Sequence, residues 1–253
     1  MPNNHKTVEQ PGEQLPPYLP NITLDCVILG YHDGRLQVLL LHWENTEEWS
    51  LPRGQIRKDE SLDDAARNIV VQRTALQQLF LHQFHVFGDV EQKGQGETKE
   101  KLKHIVAPIQ WAERSISVGY YALIDYEKAK PKPDIYTDLC KWWDVKNLPK
   151  MLFNHNQVIE VSLSALLLHV SSLPIGNFLL PEQFTLPEFQ RLYETILDKT
   201  LDPRNFQRKV LTLGIVDRLD VRRRGGAHKA PYLYRFNKDR YETVLLEKGL
   251  LFS

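Results

Sequence analysis

Between Trp49 and Leu76 the chain reads WSLPRGQIRKDESLDDAARNIVVQRTAL, with four acids, Asp59, Glu60, Asp63 and Asp64, in one short window. Carboxylates gathered on one helix face can hold a divalent cation against phosphate oxygens. Leu62, Ala65, Ala66, Ile69 and Val70 recur at spacings of three and four after Ser61, which places a helix here with one face in the core. Asp59, Asp63 and Asp64 also read as solvent-exposed acids of the first turn, which the helix dipole favours. A second set of residues suits a different chemistry. Phe206, Val210 and Leu213 fall at i, i+4 and i+7, which leaves Arg204, Asn205, Gln207, Arg208, Lys209 and Thr212 facing outward. Arginine, asparagine and glutamine can pair bidentately with purine edges, and Lys209 suits a phosphate. Arg222, Arg223, Arg224, His228 and Lys229 surround Gly225 and Gly226 at a hairpin tip, a basic finger suited to phosphates or a minor groove.

These residues need a scaffold. Strands are expected over 24–29 and 36–41, joined by a turn with the Asp33-Gly34 pair, and again over 84–87, 115–124 and 140–145. Residues 148–170 read as largely helical with Asn154 as N-cap, and a polar loop over 91–114 carries Trp111. Strands and helices mix without strict alternation, so the front of the chain is expected to be α+β with a mixed sheet. The stretch SSLPIGNFLLPEQ reads as the junction between domains. Beyond it, Thr185 and Glu188 form a capping-box pair ahead of Phe189, Leu192, Tyr193, Ile196 and Leu197. Asp202 and Pro203 open a second helix that Gly214 ends, and strands over 215–221 and 232–236 follow. Helix, turn, helix and basic hairpin are the order of a winged helix-turn-helix. The divisions expected are an arm over 1–20, an effector domain over 21–172 and a DNA-binding domain over 173–253.

Composition narrows the classes. The chain has 253 residues with equal numbers of acids and bases, yet residues 199–240 hold 12 Lys plus Arg against 4 Asp plus Glu, which points to a polyanionic partner. No apolar run reaches the roughly 18 residues of a membrane helix, and the first twenty residues, with five prolines, lack the core of a signal peptide. A cytoplasmic protein is expected, with no membrane partner. Cys26 and Cys140, the two cysteines, read as apolar thiols with no metal-ligand spacing.

The 49–76 segment resembles the Nudix box, G-x5-E-x7-R-E-U-x-E-E-x-G-U with U aliphatic. Trp49, Leu51, Pro52 and Gly54 match its approach, Glu60 its first glutamate, and Ala65, Ala66, Thr74 and Leu76 common positions. Asn68 stands where the arginine belongs, Ile69 where a glutamate belongs, Gln72 and Arg73 where the metal-holding pair belongs, and Ala75 where the glycine belongs. Arg73 would put positive charge where magnesium sits, and Gln72 offers a neutral oxygen. The box as it stands predicts no hydrolysis, no metal and no cofactor.

The whole of 24–236 resembles the Nudix-related transcriptional regulators, which join a Nudix-like α/β/α sandwich to a C-terminal winged helix. WSLPRG, SISVGYYALI, PIGNFLLP and FTLPEFQRLYETI with DPRNFQRKV carry the likeness. It implies a homodimeric repressor on palindromic double-stranded DNA that releases it when a small molecule fills the Nudix-like domain. One branch of the family answers to ADP-ribose; the junction and tail look closer to a branch that answers to sugars such as L-arabinose. DNA contacts carry over to Arg204, Asn205, Arg208, Lys209 and Arg222 to Arg224; Arg53, Glu60, Trp111 and Tyr120 are the expected effector contacts. Two other readings stand beside this one. The first is a Nudix-type hydrolase of a nucleoside diphosphate derivative such as ADP-ribose, with displaced metal ligands; the second is a metabolite-sensing module that contacts a protein.

Overall fold

The structure is a computed structural model that describes residues 17–88, 115–170, 175–223 and 230–248. Strand β1 (Tyr18–His32) runs into β2 (Arg35–Trp43) through Asp33 and Gly34, both at positive φ, the geometry for which an Asp-Gly hairpin turn is suited. Short β3 (Trp49–Ser50) and β4 (Arg53–Arg57) follow, then helix α1 (Leu62–Thr74), β5 (Phe80–Phe87), β6 (Ile116–Leu123), β7 (Thr137–Asp144) and helix α2 (His155–His169). The seven strands make one mixed sheet. Its central path is β3-β2-β1-β6-β5, β4 and β7 join it on β1 and β2, and among these strand pairings β1–β6 is parallel and the rest antiparallel.

Alternation along the strands decides which helix each residue meets. Leu24, Cys26 and Ile28 of β1, with Val118, Tyr120 and Ala122 of β6, share a core with Ala65, Ala66 and Val70 of α1. Val27, Leu29, Tyr121 and Leu123 point the other way, toward Val158, Ile159 and Leu166 of α2. This is a mixed-sheet α/β/α sandwich of Nudix type. Each fully buried aliphatic side chain in it contributes about 1.5–3 kcal/mol, which makes the two-sided sheet a rigid platform.

The α2 core continues without a break into the C-terminal part. There the elements are α3 (Gly176–Leu179), α4 (Leu186–Leu197), α5 (Pro203–Leu213), β8 (Val216–Arg222), β9 (Tyr232–Phe236) and α6 (Lys238–Lys248). Phe184 bridges Tyr234, so the segment before α4 adds a third strand position beside the β8–β9 hairpin, and the whole is a winged helix. Polar contacts tie it to the sheet domain: Thr195 Oγ1 donates to the Gly34 carbonyl at 3.1 Å, and Lys146 Nζ pairs with Asp198 at 2.7 Å. A cavity of 580 Å³ lies between them, with Arg35, Asp144 and Leu163 on one side and Thr195, Ile196 and Asp198 on the other.

Several expectations shift. The arm assigned to 1–20 gives way to strand at Tyr18, since Tyr18 and Thr23 pair with β4 across an irregularity that contains Asn21 at positive φ. Strand β5 begins at Phe80, not 84, because its register against β6 slips between Gln83 and His85 and continues beyond. Helix α2 starts at His155, not near 148: Phe153 at φ 57° stops any earlier helix, and Asn154 holds the cap position with no side-chain hydrogen bond. The described part of the junction is no loose linker. Ile175, Leu179 and Leu180 are buried, and a Cβ on Gly176 would come within 2.7 Å of Phe236 and 2.9 Å of Phe189. Among the described residues, no helix is long and apolar enough to cross a membrane.

Candidate effector site and nucleic-acid interface

The WSLPRG segment is welded into the fold residue by residue. Trp49 packs edge-on against Trp143, Ser50 accepts a hydrogen bond from the Trp43 indole at 2.9 Å, and the Leu51 amide donates to Nδ1 of buried His155 at 2.9 Å. The Pro52 carbonyl accepts from Cys26 N at 2.9 Å. Arg53 reaches back to β1: Nε lies 3.2 Å from the buried carboxylate of Asp25, and Nη2 donates to Thr23 Oγ1 at 2.8 Å. Asp25 also accepts from the Ser117 hydroxyl and lies 3.4 Å from His155 Nε2; the contacts of Arg53 Nε and His155 Nε2 with it fall outside hydrogen-bond geometry.

Burial alone would raise the Asp25 carboxyl, but Arg53, His155 and Ser117 outweigh it and hold it well below the usual carboxylate range. Burial lowers the His155 imidazole, and Arg53 lowers it further against the pull of Asp25. Since the Leu51 N–H needs an unprotonated Nδ1, the geometry assigns His155 as the neutral Nε2–H tautomer. Above this pair the Arg53 guanidinium lies 4.6 Å from the centre of the Phe153 ring, and Phe153, Trp43 and Tyr136 pack on Leu152. A bulky residue at positive φ is strained, and such strain collects at ligand clamps. Half-buried aromatic faces beside a cation make this the candidate effector surface.

Of the four expected effector residues, the described three, Arg53, Glu60 and Tyr120, have different surroundings. Arg53 faces Phe153, whereas Gly54 and Ile56, its neighbours in β4, face α1. Tyr120 is buried on the α1 side and donates its hydroxyl to Asp63 at 2.7 Å; burial, then Asp63, pushes its pKa up. Glu60 closes the turn before α1, accepting from Arg57 N at 2.7 Å and from Asn68 at 3.4 Å. Trp111 and the loop over 91–114 lie outside the described residues. Sequence reasoning missed Asp25, His155, Trp43, Tyr136 and Phe153. The DCV and FNHN segments that hold the first two lie far apart in the chain, and only the sheet brings them together.

The box positions take structural roles. Asp59 pairs with Arg57 at 2.9 Å, and Asp64 accepts from Ser61, the N-cap of α1, at 2.7 Å. A Cβ on Gly54 would sit 2.7 Å from Ile69 Cδ1, so an apolar side chain fills the ground beside this glycine. Gln72 is exposed. The Arg73 guanidinium donates to the Lys132 carbonyl at 3.3 Å and ties the end of α1 to the loop between β6 and β7. Ala75 caps that helix at φ 59°, in the left-handed region where the box has glycine. Both cysteines are thiols raised by burial, Cys140 to about 11.

The winged helix sets α5 outward. Thr185 and Glu188 cap α4 reciprocally, Asp202 accepts from Asn205 N at 2.8 Å, and Gly214 ends α5 at φ 65°. Gln190 and Glu194 hold the turn between the helices through the Leu201 carbonyl and amide at 2.9 and 2.8 Å. Phe206 and Val210 face the core and Leu213 is half-buried; Arg204, Asn205 and Arg208 are exposed, Gln207 and Lys209 half-buried. Arg208 Nη2 donates to Asn205 Oδ1 at 2.9 Å, which holds two of the side chains expected to contact DNA together. At the root of the wing, Arg222 lies 3.9 Å above the Tyr232 ring and donates to the Ala230 carbonyl at 2.8 Å, while Arg223 pairs with Glu188. Arg224, His228 and Lys229 lie outside the described residues.

Residues 176–236 match the family model described as the NrtR DNA-binding winged helix domain. The ADPR responsive transcriptional repressor NtrR of Acinetobacter baylyi is 27% identical over 232 residues, 88% of this chain and 84% of that protein. The structure of Shewanella oneidensis NrtR complexed with a 27mer DNA superposes with a TM-score of 0.69 at 27% identity, covering 87% of this chain and 95% of that one. Over most of its length the chain is similar to Nudix-related winged-helix regulators. A MutT/nudix family protein from Enterococcus faecalis, with a TM-score of 0.58 at 17% identity over 87% of this chain and 88% of that one, shares the fold. The leaning toward an arabinose-type branch is overturned: the chain is similar to Shewanella oneidensis NrtR, and the Acinetobacter repressor it matches is named as ADPR responsive.

Proposed function

We propose that this chain is a transcriptional repressor that binds palindromic operator DNA as a homodimer and answers to an ADP-ribose-like effector. The observation that carries the reading is the exposed Arg204, Asn205 and Arg208 face on the second helix of a winged helix of NrtR type. The division into an effector domain over 21–172 and a DNA-binding domain over 173–253 belongs to this proposal, as does a cytoplasmic location.

In this reading α5 enters the major groove, where Arg208 and Asn205 read base edges and Lys209 takes a phosphate. The effector lies against Arg53, Phe153, Trp43 and Tyr136, where aromatic faces suit a planar ring and the guanidinium suits a phosphate oxygen. Hydrolysis does not follow binding. Magnesium held against a diphosphate needs several free carboxylates, and Asp59, Glu60, Asp63 and Asp64 are each engaged by Arg57, Asn68, Tyr120 or Ser61. Effector binding changes DNA affinity only as far as it prefers the conformation that does not fit DNA. The contacts of Gly34 with Thr195 and Lys146 with Asp198 are the polar links across which that preference passes.

The test is operator binding by the wild type and by the Arg204→Ala, Arg208→Ala double variant as salt is varied. Each phosphate contact contributes about 0.9 to the slope of log K against log salt, and each bidentate base contact about 1–3 kcal/mol of discrimination. The double variant should lose operator preference while ADP-ribose binding is unchanged. Unchanged operator affinity would assign DNA recognition elsewhere.

A further inference from the structure

The basic hairpin after a recognition helix invites the reading that every arginine in it meets a phosphate. The root of this wing is built otherwise. The β8–β9 ladder is irregular between Arg218 and Arg222, and among the described residues the backbone beyond that point is joined by the Arg222–Tyr232 pair and by the Arg223 amide, which donates to the Pro231 carbonyl at 3.0 Å. A ladder that short needs side-chain support. Arg222 supplies part of it by stacking on Tyr232 and bonding the Ala230 carbonyl.

Arg223 is engaged by Glu188 through both carboxylate oxygens. The same carboxylate accepts from Thr185 N at 2.7 Å and Thr185 Oγ1 at 3.1 Å, which completes the capping box of α4. Burial would raise its pKa, but Arg223 and Thr185 lower it, so it is ionised at neutral pH. Meanwhile Phe184 and Tyr234 exchange two backbone hydrogen bonds, at 3.0 and 2.7 Å, which fasten β9 to the residue just before Thr185. Both strands of the wing are therefore held by the five residues from Phe184 to Glu188, β9 through backbone and β8 through the Arg223 side chain.

We propose that Glu188 and Arg223 are positioning residues for DNA binding: the pair fixes the angle of the wing to α4, and Arg223 is not a phosphate contact. This rests on the winged helix being the DNA interface. The opposing view, that Glu188 merely sequesters an arginine meant for DNA, predicts effects of opposite sign, which makes the two separable.

The decisive variant is Glu188→Gln, because glutamine at this position still closes a capping box but cannot hold the guanidinium by charge. Removing an acid near DNA would by itself strengthen binding. Positioning predicts instead that operator affinity falls, by about two- to fivefold for a half-exposed pair, with the salt slope unchanged. Tighter binding with a slope steeper by about 0.9 would mean a released phosphate contact and would overturn the proposal. Arg223→Gln should reproduce the loss, and combining the two should add nothing further; additive losses would also overturn it. Hydrogen exchange at the Arg223 amide gives a readout that needs no DNA: it should quicken in Glu188→Gln. If the wild type shows no operator preference, the proposed function fails, and the amide still decides the pair, since unchanged protection would sink it.

Discussion

Lowering the pH from 7 to 5 should cost this protein stability through His155 in a way that a single substitution removes. The imidazole is fully buried, its Nδ1 accepts the Leu51 amide, and its pKa lies below the ordinary value. In the unfolded chain the same group titrates at about 6.5. The unfolded state therefore binds the extra proton first, and stability falls as pH drops below that value. If the native imidazole stays neutral to pH 5, the loss between pH 7 and 5 is about 2 kcal/mol, from RT ln(1 + 10^(pKa − pH)) evaluated at both ends. Asp25 does not contribute in this window: its native pKa is depressed, so its stabilisation is complete above the unfolded carboxylate range near 4 and is lost only at lower pH. Urea unfolding at pH 7, 6 and 5, for the wild type and for His155→Gln, measures the term directly. The variant is expected to be less stable at pH 7 and to lose less on acidification, by up to about 2 kcal/mol. Equal slopes for the two proteins would refute the neutral tautomer, and a shallower slope for the wild type would mean an imidazolium paired with Asp25.

Three further outcomes follow from single contacts. Ala75→Gly should raise the unfolding free energy by up to about 1 kcal/mol, since alanine there occupies the left-handed region at φ 59°; a fall in thermal midpoint would contradict the cap. Gly54→Ala should destabilise by about 1–3 kcal/mol by driving a methyl against Ile69, and Ile69→Val should restore part of it. Incubation of the protein with magnesium and ADP-ribose, followed by phosphate-sensitive chromatography, should yield no AMP; turnover abolished by Glu60→Gln would establish the hydrolase reading instead.

What was legible in the sequence was what local chemistry encodes. The Asp33-Gly34 turn, the Thr185–Glu188 box, Asp202 with Pro203, and Gly214 each act within a few residues, and the structure has a turn or helix end at each. The mismatched box was also readable, because a carboxylate is either present at a position or not. The candidate effector surface was not. Arg53 could be picked from its place beside the box, but its partner Asp25 sits in an apolar run, and His155 lies 104 residues beyond Leu51. Their meeting depends on sheet order. For the same reason the packing of Tyr120 on the α1 side and its bond to Asp63 could not be read, since one position along β6 decides which helix a side chain meets. In the wing, the run of three arginines is visible as charge, but the engagement of Arg222 by Tyr232 and of Arg223 by Glu188 is not.

The central claim is that one chain couples a metabolite to an operator. The measurement that tests it most directly is the affinity of the purified protein for the DNA upstream of its own gene and its neighbours, at physiological salt with competitor, with and without ADP-ribose. The account predicts a specific complex that ADP-ribose weakens, with no loss of ADP-ribose during the experiment. A specific complex indifferent to ADP-ribose would contradict the effector assignment, and binding no stronger than to unrelated duplex would contradict the repressor itself.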